Sequence, residues 1–481
     1  MIRKFFSYVN FTEFSSEQKW HFGFNILMGV IIAVIFCFLE HTGYGENGLN
    51  RLFDLFIRQQ ARDYKTVSPQ KDKPKIVFID FDQESLRDSP KQSEGIPLIT
   101  PRDKIAGLIN LANKANARVI IPDVFFFSSD CCNAGADGKL GTALENIKLE
   151  NAKRKVKTKL ILPVRIDAHN NTYHNIFKKL IDNENIYPAI PDFSATLSDG
   201  TVRYWVTYRK AKSGVGQNDE ILWSIPVLAS VLANDDAGST LEKLRNIEKD
   251  FISVNKISKP ATINIKGKDF ELPLKSAYEE HNEAAFEELF LQRIRYLLRP
   301  PSLKENHDAS EDGNLGFERL TVSDLKPLIA EGDSKIKEEA FNKFKDKIEG
   351  NIVIIGNSTS DFADIHNTPV GDMAGMYIHG NSIFTILDGK QVREMPGMLS
   401  ISIEIFTIIL TAYIFLYLQA LSAKIVATII MLAIFGPLSW YMFIHTNVLI
   451  NVVFIISGIG LHKMVADFEA IIKLNDHNNA H

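Results

Sequence analysis

Cysteine is nearly missing from this chain, with three in 481 residues. Cys37 lies inside an apolar run, and Cys131 and Cys132 are adjacent. That spacing excludes a disulfide framework and supplies no C-x-x-C pair for a zinc ribbon or a thioredoxin-type site. Cys131 and Cys132 are either two loop thiols or, in an oxidising compartment, a vicinal or intermolecular disulfide. An excess of one charge is missing too. Lys and Arg total 54 against 58 Asp and Glu, a formal net charge of -4, which leaves no basic footprint for nucleic acid. The chain carries no G-x-x-x-x-G-K-[ST], no G-x-S-x-G and no H-E-x-x-H, and no internal repeat. No catalytic residue is assigned, no enzymatic activity is expected and no cofactor is implied.

Long apolar runs are what stands out instead, and they sit at the two ends. A helix needs about 20 apolar residues to cross roughly 30 Å of hydrocarbon. Phe22–Leu39 just meets this, and Met398–Met464 divides into Leu399–Leu418, Ile425–Phe443 and Val448–Leu461. The run 22–39 ends in bulky residues rather than a small-residue cleavage site, so it is expected to stay as an anchor. Arg3, Lys4 and Lys19 precede it and no Lys or Arg follows until Arg51, which places the N-terminus in the cytoplasm. Lys424 falls in the short loop between two later runs, and His462 and Lys463 end the last one. Alternation then gives cytoplasmic 1–21, a span at 22–39, a domain on the far side at 40–397, three spans within 398–464 and a cytoplasmic tail at 465–481. Gly436-Pro437 is expected to kink the middle span. Glu404, inside its span, either snorkels to the interface or meets Asn451 or His445 on a neighbouring helix. In the tail, Val465, Phe468 and Ile472 continue a helical stripe, read either as a frayed helix end or as a contact for a partner.

Between the runs the chain reads as soluble α/β protein. Gly43–Lys73 becomes an amphipathic helix, with Leu49, Leu52, Phe53 and Phe56 on one face. Lys75–Asp82 is a short buried strand. Thr100-Pro101-Arg102-Asp103 opens a helix, with Thr100 as the cap, and Arg118–Phe127 is a second strand that Pro122 should end near Asp123. Strand, helix, strand is a βαβ unit. Leu160–Ile166 reads as a strand, Ala195–Arg209 as a hairpin turning at Asp199-Gly200, and Ser224–Ala233 as a helix. Charge dominates from about 237 to 347, with Leu303–Leu315 as a flexible loop. Asn351–Asn357 is a buried strand, and Gly375–Asn381 leads into a helix ending at Leu387. The expected fold is an α/β outer domain with a mixed, partly parallel sheet, plus four transmembrane helices.

Ligands of open parallel sheets bind at the carboxyl ends of the strands. There this sequence places Asp80, Asp82, Asp123 and Asn357, with Asp361 and Asp364 in the loop after the last strand and Arg102 at a helix start. These residues form either a ligand site or a buried network that ties loops together, with Arg102 reaching one of Asp80, Asp82 or Asp123. Asp364, His366 and His379 are either ligands for a divalent metal or a capping Asp with two satisfied histidines.

Taken in order, several segments resemble the second type of CHASE sensor domain. They are Val77-Phe-Ile-Asp80 with Ser85-Leu86; Thr100-Pro-Arg102; Ala117–Asp123; Asp199-Gly-Thr-Val-Arg203; Ile352–Gly356; and Asp364 with Thr368-Pro369, Gly375, His379 and Asn381. The resemblance covers about residues 45–390. It implies an extracellular sensor of the kind found in bacterial cyclases and kinases, set between one span and three, with an undefined small-molecule ligand. The sequence departs from the pattern at Asn116 and at Gly95–Thr100, and the region 237–347 is expanded. The effector module expected behind the last span is missing. The expectation is therefore a multi-pass protein of the bacterial inner membrane, with a periplasmic domain that signals to a separate protein partner or a second copy. A structural docking subunit of an envelope complex and a receptor that has lost its effector are the other readings.

Overall fold

A computed structural model of the chain describes residues 15–40, 43–63, 75–87, 100–126, 135–166, 172–173, 185–196, 198–212, 219–234, 236–253, 261–265, 267–272, 276–281, 285–297, 317–329, 334–359, 364–393, 395, 397–418 and 420–450. It divides into two compact units, Ile57–Gln391 and the two ends, Met1–Phe56 with Val392–His481.

The first unit is built on a six-stranded sheet. Its strands are β1 (Ile76–Phe81), β2 (Val119–Pro122), β3 (Lys159–Pro163), β4 (Ile186–Ala189), β5 (Phe317–Thr321) and β6 (Ile352–Asn357), in the spatial order β5-β1-β6-β2-β3-β4. Every neighbouring pair is parallel. A parallel sheet is covered on both faces, so its strands read as continuous apolar runs rather than alternating ones. β1 (IVFIDF) and β6 (IVIIGN) are of this kind. On one face Val77, Ile79, Phe81, Ile120, Val353 and Ile355 join a core with α1 (Arg102–Lys114), α2 (Ala136–Asn151) and α4 (Ser334–Ile348). On the other face lie α3 (Ile225–Leu232) and α5 (Gly375–Leu387), packed on each other.

The βαβ expectation holds in direction, since β1 and β2 are parallel, but β6 lies between them and pairs with both. β5 falls inside the charged stretch 237–347, to which the sequence reading assigned no element, and forms the edge of the sheet. Its only apolar residues, Phe317 and Leu320, are three apart and do not alternate, so the local pattern does not mark it, and pairing with β1 makes it a strand. Thr100 is not the cap of α1. The cap position is Pro101, without a side-chain bond, and the helix starts at Arg102. A second sheet is antiparallel and contains Phe193–Ala195, Val202–Lys212, Asp219–Trp223, Ser276–His281 and Ala285–Arg293. The turn between its first two strands is the expected one, with Gly200 at φ +65° and Arg203 paired to Asp199.

The described part of the second unit is mainly helical: Ser16–Glu40, the start of Gly43–Asp63, Gly397–Tyr417 and Ala420–Thr446. Among the described residues, one helix, Leu421–Thr446, is long and apolar enough to cross a membrane, and Phe22–Ile31 and Ser402–Tyr417 are shorter apolar stretches. Leu27, Ile405, Phe406, Ile425 and Ile429 point outward. Lys424 sits inside the helix Ala420–Thr446 rather than in a loop, and the helix continues through Pro437. Gly29 lets two helices meet, since a Cβ there would stand 2.6 Å from Ile408 Cγ2. Glu404 is half-buried. Asn451, most of Val448–Leu461, the tail stripe from Val465, Leu303–Leu315, and Cys131 and Cys132 lie outside the described residues.

Candidate functional site

Register places two of the predicted carboxylates, Asp80 and Asp123, in one row. Asp80 on β1 is level with Gly356 on β6, and Asp123 follows Pro122, whose partner is Ile355. The Asp123 N–H donates to Ile355 O at 2.7 Å. Side chains alternate between the faces of a strand, so Asp80 and Asp123 project onto the face opposite the Val77–Ile79–Phe81 core. α5 crosses that row. Tyr377 stands on Asp80, Met376 on Gly356 and His379 beside Asp123. A Cβ at Gly356 would lie 3.1 Å from Met376 and 3.4 Å from Asp123 Cβ, so the glycine is what lets the helix approach this closely.

The two ends of the row differ in chemistry. Asp80 is fully buried and saturated with donors. Arg319 donates from Nε at 3.0 Å and Nη2 at 2.8 Å, Ser358 from N at 2.9 Å and Oγ at 2.6 Å, and Tyr377 from its hydroxyl at 3.0 Å. Burial, then the charge of Asp80, pushes the Tyr377 phenol well above its usual range, so it remains a donor. A carboxylate with five donors is a structural node that joins β1, β5, β6 and α5.

The Asp123 end is short of partners. His379 Nε2 stands 3.6 Å from Asp123 Oδ1, beyond hydrogen-bond distance, and its Nδ1 is buried with no partner. Burial, then the nearby His366, lowers His379 to about 3, so the ring is neutral. Burial, then the charge of Asp364, raises the Asp123 carboxyl well above the usual carboxylate range. The Phe193 ring lies 4.5 Å from the His379 ring and 5.7 Å from the His366 ring. His366 Nε2 is 3.1 Å from Asp364 Oδ1. Asp364 also sits at the start of α5, where its carbonyl accepts the Gly375 N–H and its carboxylate lies against Gly375, a favourable place for an anion.

The remaining predicted residues disperse. Arg102 contacts none of Asp80, Asp82 or Asp123. It donates to Asp137 at 2.5 Å and lies over the Phe126 ring, with Nε buried and unpartnered. Asp137 starts α2, which packs against α1, so the arginine finds its carboxylate on a helix rather than on a strand end. Asp82 caps the helix Gln83–Arg87. Burial pushes its carboxyl up, but hydrogen bonds from Ser323 and Ser85 outweigh this and hold it below the usual value. Asn357 Oδ1 accepts from Thr359 N and Oγ1, while its Nδ2 is buried without a partner. Asp361 lies outside the described residues. Among the described residues no set of three His, Cys, Asp or Glu side chains is arranged to hold an ion.

A family model described as the CHASE2 domain matches residues 30–417. This chain belongs to the CHASE2 family. CHASE2 is a family of extracellular sensory domains, and a sensor role for the α/β unit is consistent with that membership. The match begins inside the helix Ser16–Glu40 and ends with Gly397–Tyr417, so it covers the end of the first helix and the whole of the second as well as the α/β domain. No curated protein and no solved structure matches the chain. The CHASE2 residues around the row hold α5 in place. Thr368 Oγ1 donates to Gly371 O in the turn before the helix, where Gly371 has φ +116°. Asn381 Oδ1 accepts the Leu297 N–H at 2.9 Å. Sequence reading missed Arg319, Ser358, Tyr377, Phe193 and Asp137. Ser358 directly follows a predicted strand and Tyr377 lies within a quoted segment, so those two were within reach. Nothing local marks the other three.

Proposed function

We propose that this CHASE2 protein is a membrane-anchored sensor that hands its state to a separate protein, or to a second copy of itself. The α/β domain faces the periplasm of a bacterial inner membrane, held by one crossing before it and three after it. The Lys and Arg placement supports this orientation. One observation carries the reading. α5 closes the polar row and ends at Leu387, and only residues 388–396 separate it from the apolar helix Gly397–Tyr417. A small molecule that re-seats His379 or Tyr377 therefore acts on a helix tied covalently to a membrane segment. Binding at the Asp123 end is supported by the buried, unpartnered His379 Nδ1, since buried polar atoms are rarely left unsatisfied.

Single cysteines at Lys91 and Asn478, in a background lacking Cys37, Cys131 and Cys132, test the arrangement. With an impermeant thiol reagent on intact spheroplasts, Lys91→Cys should label and Asn478→Cys should label only after lysis. Labelling on the same side refutes the topology. Cross-linking before gentle-detergent purification should recover a stoichiometric partner or a dimer, and a lone monomer refutes signal transfer to another chain.

A further inference from the structure

The exit of α5 is gripped in a way that its helix cap alone does not require. Gly389, at φ +62°, ends the helix in a Schellman turn. Its N–H donates to Ile386 O and the Lys390 N–H donates to Thr385 O. The hairpin formed by Thr262–Ile265 and Lys268–Glu271 closes on this turn. Lys268 Nζ donates to the Asp388 carbonyl and stands 3.8 Å from its carboxylate. A Cβ on Gly389 would meet Lys268 Cδ at 2.5 Å. Gln391, nearly buried, behaves like one more peptide group of the hairpin. The Glu271 N–H donates to its Oε1 at 3.0 Å, and its Nε2 donates to Glu271 O at 2.5 Å and to Gln292 Oε1 at 2.8 Å.

The hairpin itself is a minor element. It is two-stranded, pairs with neither larger sheet among the described residues, and buries Ile263, Ile265 and Phe270. Two-stranded ribbons are marginal by themselves and open at low cost. α5, by contrast, is keyed along its length by directional bonds. Tyr377 donates to Asp80, Asn381 Oδ1 accepts from Leu297 N, and Thr385 Oγ1 accepts from Arg295 N at 3.2 Å. A helix held in this way has discrete seats rather than a continuous slide.

We propose that the hairpin Thr262–Glu271 is a latch on residues 388–391, and that its release is the step by which a change in the seat of α5 reaches the helix Gly397–Tyr417. The proposal rests on the sensor reading, and it turns on Gln391 and Lys268.

Hydrogen exchange on the full chain in lipid nanodiscs tests it, using Gln391→Leu, which keeps bulk and removes the amide. A fluorophore on Met398→Cys in the cysteine-free background reports at the start of the following helix. Amides of 262–271 and of 388–391 should exchange together, about tenfold faster or more, while β1, β2 and β6 stay protected. The Met398 reporter should shift in emission. Lys268→Met, which leaves the buried amide bonds intact, should produce the same pattern at smaller amplitude. The latch is overturned if only one of the two segments loosens, if the central sheet loosens equally, or if the reporter does not move in either variant. Failure to recover any partner from the wild-type chain would count against the sensor reading alone, because the exchange and fluorescence readouts need no partner.

Discussion

Replacing Arg319 by methionine isolates the node at Asp80. The carboxylate has no solvent exposure, and Arg319 brings two N–H groups to the same oxygen, Oδ2, at 3.0 and 2.8 Å. Methionine keeps the apolar stem at the sheet edge and removes the cation. Breaking a buried ion pair from one side costs about 3–5 kcal/mol. Two features reduce that here. The Arg319 side chain is 31% exposed, so solvent screens part of the attraction. Ser358 N, Ser358 Oγ and the Tyr377 hydroxyl also continue to donate to Asp80. The expected loss is about 2–3 kcal/mol. At roughly 2 °C per kcal/mol for a large domain, the thermal midpoint should fall by about 4–6 °C. Thermal unfolding of the full chain in detergent, followed by near-ultraviolet circular dichroism, measures it. Tyr377→Phe removes a second donor from Oδ2, so the double variant should depart from additivity by about 0.5 kcal/mol or more. A loss under about 0.5 kcal/mol for Arg319→Met, together with an additive cycle, refutes the node.

Two further substitutions probe the helices on the two faces of the sheet. A Cβ at Gly380 would stand 2.3 Å from Phe78 Cζ, and that ring is confined between Tyr377 and Phe317. Gly380→Ala should therefore destabilise the domain by about 1–3 kcal/mol. Gly107→Ala, in α1 with open space around it, should be neutral or stabilising by up to about 1 kcal/mol in the same unfolding assay. His379 supplies a pH signature. Its folded value is lowered to about 3 from 6.5, by burial first and then by His366. Below the unfolded value the unfolded chain takes up a proton that the folded chain refuses. Stability is therefore complete above about 6.5 and is lost as the pH falls toward 3. Asp123, whose carboxyl is raised, contributes the opposite slope as the pH rises from 3.8. Thermal midpoints between pH 7 and pH 4 should fall more steeply for the wild type than for His379→Gln, and equal slopes would exclude a buried neutral imidazole.

How much of this was legible in the residues depends on the range of the force involved. Runs such as Ile76–Phe81 and Ile352–Asn357 announce buried strands, because a chain covered on both faces must be apolar throughout. The turn at Gly200 and the stop at Pro122 follow from backbone sterics within a few residues. Those signals are local, and they suffice to place Asp80 and Asp123 at strand ends and His379 on a helix. The quoted segments also pointed to the family. Partner choice is another matter. Arg102 went to Asp137 and Asp80 took Arg319, because ion pairs form between whichever charges packing brings within a few ångströms, and Arg319 is 239 residues away in the chain. The insertion of β6 between β1 and β2 was equally hidden, since adjacent parallel strands carry no local mark of their order. The row itself needed the register of three strands and a glycine, Gly356, that only a crossing helix explains. Composition and local sterics settled which pieces exist and where the chain turns apolar. Long-range packing alone decided which charges are satisfied at Asp80 and which are left wanting around His379.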